Sequence, residues 1–290
     1  MNDRGTVKII NTVPYFTDNY ESSILFLRSY YRKYPAIFTE YFAYHCKDSE
    51  ERHLQSIAKY PLFFGTIEEV HRKIVPIIQE ISEQYNQIYQ INFPIEVNLI
   101  VGGFGSNAYT YRQIIPNITF SLEKLLPELD SLRTIVAHEF GHAAHNIISN
   151  NAQIDWGTIQ WENPLIWLYR EGAAVHFSRK IVPNLKPSIY FSFDNEGEEW
   201  LEFCTKNIET IKNAFFHDYN VSTPDIIFKE WFSINGGTTF GHSRLAYFIG
   251  DLLFQDQVQL FGEDKAITAW NDEKFIDHVQ EWLCEGKNLK

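Results

Sequence analysis

The chain has 290 residues, 44% of them hydrophobic and 21% charged. That is the composition of a globular protein with a large core, not of a disordered or fibrous one. The net charge of −12 repels phosphate backbones and argues against a nucleic-acid partner. Cys46, Cys204 and Cys284 are scattered and form no C-x-x-C pair, so neither a disulfide framework nor a thiolate metal cage is expected.

In chain order, the opening MNDRG leads into no apolar leader segment. No run of about 18 apolar residues follows that could span a bilayer. A soluble, cytoplasmic protein with no membrane partner is expected. Residues 19–45 and 66–90 read as helices, Thr66 being a fair N-cap with Glu68 and Glu69 in the first turn. Pro35 is expected to break the first stretch or to open a second helix, and Pro76 to kink the later one. Residues 1–90 thus form a helical N-terminal region, and 91–290 the region of the chemistry, the two packed as one compact unit. PIEVNLIV (94–101) alternates apolar and polar residues as a strand does. Gly102, Gly103 and Gly105 punctuate the chain, and 107–114 and 117–121 read as two more short strands.

A strong helix runs from Asp130 or Ser131 to about Ile148, followed by a polar loop. Asn163-Pro164 opens a second helix that ends near Val182. Helices are expected over 197–217, 224–233, 242–260 and 272–285. The fold class is therefore α+β, a small sheet preceding the helix at 131–148 and a mainly helical C-terminal half.

That first helix carries His138-Glu139-Phe140-Gly141-His142, an H-E-x-x-H match. Residues four apart share one helix face, so both imidazoles can reach one ion at about 2.0–2.1 Å. Glu139 lies about 100° around the axis from His138, where it reaches a metal-bound water and not the metal. Val136, Phe140, Ala143 and Ile147 form an apolar stripe roughly opposite the histidines. The stripe is expected to bury while the imidazoles face a cleft.

Catalytic zinc takes three protein ligands and keeps one position open. Positions 145 and 148 hold His145 and Ile148, which excludes the metzincin pattern. The gluzincin class takes its third ligand from a glutamate on a second helix, and Glu171, in NPLIWLYREGAAVHFSRK (163–180), fits that place. Small residues at Gly141, Ala143, Ala144 and at Gly172, Ala173, Ala174 would let the two helices approach. His145 is two turns from His138, too far for all three imidazoles of a straight helix to share an ion. It is expected beside the ligands or in the cleft. Glu162 is a weaker alternative ligand, and Asp155 a carboxylate available to orient an imidazole.

HEFGH followed by REGAAVHF resembles the compact gluzincin metallopeptidases, in which H-E-x-x-H is followed by an E-G-x-A helix. It is most similar to the predicted zinc-protease family of unknown function with an EGLA-x-Y segment. The likeness covers about residues 94–255 and includes, more loosely, GHSRLAYFIGD (241–251), which resembles that family's G-Y-x-x-G segment with Ala246 in place of its first glycine. His176 stands where that family has tyrosine. The resemblance implies a zincin-like fold over 91–290 and one Zn2+ on His138, His142 and Glu171. It also implies an oxyanion-stabilising tyrosine or histidine downstream, for which Tyr247 and His242 are the candidates. In gluzincins the edge strand before the active helix pairs with an extended peptide, and here that strand would be Asn117–Ser121.

The expected function is a zinc metallopeptidase acting on a peptide or protein. The ion lowers the pKa of bound water toward 7. Glu139 takes up the proton as general base and returns it to the leaving amine. Two rivals stand beside it: a metal-dependent amidase or deacylase acting on a small molecule, and a non-catalytic binding protein on the same fold.

Overall fold

A computed structural model describes residues 7–284 of the chain. The N-terminal residues on which the expectation of no leader rests lie outside the described residues. The chain divides into two compact units, 1–143 and 144–290.

The first unit opens with β1 (Lys8–Asn11) and continues through α1 (Val13–Asn19), α2 (Ile24–Lys33), α3 (Pro35–Tyr44) and α4 (Glu50–Tyr89). It closes with β2 (Glu96–Ile100), β3 (Ala108–Thr110), β4 (Ile118–Ser121) and the start of α5 (Leu129–Asn151). α4 begins well before Thr66. Its N-cap is Ser49, whose side chain accepts from Arg52 N, and Glu50 and Glu51 occupy the first turn. It runs 40 residues with Pro61 and Pro76 inside it. Each proline forfeits a helical hydrogen bond, and the buried row Ile67, Val70, Ile74, Ile78, Ile81 and Tyr85 offsets that loss, since each fully buried side chain is worth about 1.5–3 kcal/mol.

The sheet has the order β1-β2-β4-β3. β1 pairs parallel with β2, Ile9 opposite Val97. β2 pairs parallel with β4, Leu99 opposite Phe120, and β3 pairs antiparallel with β4, Tyr109 opposite Thr119. β4 is buried along its length. The expectation of Asn117–Ser121 as an edge strand is therefore wrong: β4 lies between β2 and β3, and the edges are β1 and β3. β1 is a strand from within the N-terminal region read as helical; its four residues are too short to show a period.

The glycines after β2 are fixed by side chains. Glu123 accepts from Gly102 N (2.8 Å) and Phe104 N (3.1 Å), and Tyr41 Oη accepts from Gly103 N (2.8 Å) and Gly105 N (3.0 Å). A side chain at Gly105 would collide with the His45 carbonyl, so this loop requires glycine there.

The second unit comprises the end of α5, then α6 (Pro164–Ile181), α7 (Ile189–Ser192), α8 (Glu198–Lys206), α9 (Ile208–Val221) and α10 (Pro224–Ile227). After a π-helical turn at Phe228–Phe232 come α11 (Leu245–Phe261), α12 (Glu263–Thr268), a 3-10 turn at Ala269–Asn271 and α13 (Phe275–Cys284). α6 starts where Asn163 accepts from Leu165 N (2.9 Å), with proline at its first position. No helix among the described residues is long and apolar enough to cross a membrane. The fold class is α+β, with a small mixed sheet and a helical second half.

Candidate metal centre

α5 is buried on almost every side. Val136, Phe140 and Ala143 are fully buried and Ile147 nearly so. Phe140 meets the edge of Phe93, centroids 4.8 Å apart, and Tyr85 Oη donates to the Ala137 carbonyl just before His138 (2.7 Å). The opposite side is also covered: His138 is 2% exposed, His142 7% and Glu139 8%. The helix is thus a central element and not an amphipathic one with a polar face in a wide cleft.

The rings of His138 and His142 lie 4.9 Å apart at 89°, the arrangement expected one turn apart on one face. Glu171 is half-buried on α6. One ring nitrogen of each histidine and a carboxylate oxygen of Glu171 all lie within 4.8 Å of one another. Tetrahedral zinc with bonds of about 2.1 Å holds its ligand atoms roughly 3.4 Å apart. Two imidazoles and one carboxylate is a donor set that suits catalytic zinc, so the residues present fit the ion.

The other expected residues fall elsewhere. His145 is fully buried, not in a cleft. Its Nε2–H donates to the Ile267 carbonyl (2.8 Å), and its ring stacks on Trp270 at 4.1 Å and 15°. Asp155 is exposed and bonds within its own turn, accepting from Gly157 N (2.9 Å); it is a loop residue, not an imidazole orienter. Glu162 is exposed and lies outside the ligand group. His176 accepts at Nδ1 from the Gln255 amide (3.1 Å) and donates from Nε2 to Glu263 (2.7 Å).

Gly172 serves a different neighbour than expected. A side chain there would strike the Gly250 carbonyl, and one at Gly250 would strike the Leu168 carbonyl. The pair marks a backbone-to-backbone crossing of α6 with α11, one residue after Glu171. Tyr247 sits one turn before Gly250 on α11, half-buried. Its ring lies beneath the guanidinium of Arg244, 5.8 Å from the centroid, and Arg244 holds a left-handed φ of 58°. His242 instead stacks on Phe203 of α8, centroids 4.2 Å apart.

Compared with family models, with curated proteins and with solved structures, the chain matches none of them.

Proposed function

We propose that the chain is a zinc-dependent metallopeptidase of the gluzincin type on a zincin-like fold, with a peptide or protein as substrate. One observation carries the reading: His138 and His142 from one helix and Glu171 from another offer ligand atoms within 4.8 Å, and Glu139 stands next to His138. When bound, zinc supplies Lewis acidity, lowering the pKa of water and polarising a carbonyl.

The protein's own groups do the rest. His138, His142 and Glu171 bind the ion. Glu139 lies about 100° around the helix from His138 and outside the ligand group, and its carboxylate is assigned to hold and move the proton. It takes one from the attacking water and gives one to the leaving amine. The low exposure of His138, Glu139 and His142 limits competing water and strengthens local electrostatics. Tyr247 is the preferred oxyanion donor over His242, because its helix crosses α6 beside Glu171. A cytoplasmic location belongs to the same reading, supported by free thiols at Cys46, Cys204 and Cys284.

Glu139→Gln decides the chemistry. The variant should keep one zinc per chain by elemental analysis and lose hydrolysis of an unstructured protein and a peptide library. Unchanged turnover sinks the mechanism. Turnover of small amides alone by the wild type moves the substrate to the small-molecule class.

A further inference from the structure

α12 is only six residues long, so its last carbonyls have no partner within the helix. They are buried with Ala266 and Ile267, and a buried carbonyl left unpaired is costly. Ala266 O accepts from Ala269 N in the following 3-10 turn. The remaining donors come from the two helices that carry the metal ligands. Tyr169 Oη on α6 donates to Ala266 O (2.5 Å). His145 Nε2 and Ser149 Oγ on α5 donate to Ile267 O (2.8 and 3.4 Å). Two successive carbonyls thus receive one helix each.

The same segment is anchored on both sides of this point. At its start Glu263 takes the hydrogen bond of His176 on α6. At its end Trp270 stacks on His145 and donates from Nε1 to Ser149 Oγ (3.0 Å). Tyr169 lies two residues before Glu171 and His145 three after His142. A helix is stiff over such distances, so a shift at either anchor is passed to the ligand beside it.

Resting on the metal reading above, we propose that Glu263–Asn271 is a strap that sets the spacing and rotation of α5 against α6. His145 and Tyr169 are its positioning residues for the metal. The bland alternative is ordinary core packing, which would lower thermal stability and leave metal affinity alone.

Zinc affinity, measured by competition with a chromogenic chelator at a temperature well below the apo melting midpoint, separates the two. Tyr169→Phe removes one hydroxyl and no shape. It should weaken zinc binding on the order of 10-fold, the scale of lost support around metal ligands, and shift the visible spectrum of the cobalt-substituted protein. His145→Met should do likewise, whereas His145→Gln, which keeps an N–H donor, should recover most of the affinity. Zinc affinity at the wild-type level in Tyr169→Phe and His145→Met, with only the melting midpoint lowered, overturns the strap. Equal loss in the glutamine and methionine variants removes His145 from it. A wild type that binds no zinc overturns the metal reading itself, which is a different result from either.

Discussion

Gly172 and Gly250 meet backbone to backbone: a β-carbon on Gly172 would fall on the carbonyl oxygen of Gly250. That oxygen belongs to a helix and cannot rotate away, so α6 and α11 would have to part. Gly172→Ala should therefore destabilise by about 1–3 kcal/mol, the usual cost of overpacking a dense core, despite alanine's better helix propensity. Because Glu171 is the adjacent residue, zinc affinity should fall as well. Urea unfolding of the apo protein and chelator competition read the two effects separately. A variant as stable as wild type would mean that the crossing is looser than described.

The group His138, His142 and Glu171, which could hold a metal, was legible in the sequence because the signals are local. An i, i+4 pair of histidines needs only one helix, and Asn163-Pro164 announces the helix that bears Glu171. The positions of α8 to α11 and of α13 also followed roughly from local pattern, apart from the break at Asn207 and the π-helical turn, but the short helices α7 and α12 did not. What could not be read depends on distant partners. β1 is defined by pairing with β2, with the whole of α1–α4 between them in the chain. The burial of His145 depends on Ile267, 122 residues on. The small residue at 172 was legible as a close approach, but its partner was not. α4 continues through two prolines because tertiary burial outweighs local propensity.

Glu123 and His45 make stability depend on pH in opposite senses. Burial pushes the Glu123 carboxyl up to about 7, against the opposing hydrogen bonds from Gly102 and Phe104. A carboxyl raised on folding contributes stability that is full below its unfolded range, near pH 4.5, and is lost as pH rises through 7. Burial, reinforced by Arg112, lowers His45 to about 4. Its contribution is full above pH 6.5 and is lost as pH falls through 4. Each is worth up to about 3 kcal/mol. Replacing Glu123 with Gln should remove the loss between pH 5 and 8 and, at pH 5, cost about 1–3 kcal/mol, because its amide faces a backbone N–H. His45→Phe keeps an aromatic ring to stack on Tyr109, now 3.5 Å from His45, and should flatten the acid side of the profile. Urea unfolding at half-unit pH steps would show both slopes; an unchanged profile in Glu123→Gln would count against the buried-carboxyl assignment.

Tyr247 is preferred to His242 for its place one turn from the α6–α11 crossing, which lies one residue after Glu171. Tyr247 precedes the Gly250 crossing by one turn, while His242 is committed to Phe203. Removing one well-placed oxyanion donor lowers kcat about 10²–10³-fold. Tyr247→Phe should show a loss of that order, with KM and zinc content close to wild type, because the hydroxyl acts mainly on charge that develops in the transition state. His242→Ala should leave kcat near the wild-type value. Steady-state kinetics on one peptide substrate, with metal content measured on the same samples, compares them directly. The reverse pattern, with His242→Ala inactive and Tyr247→Phe active, would transfer the role to the histidine and require the loop before α11 to close over the site.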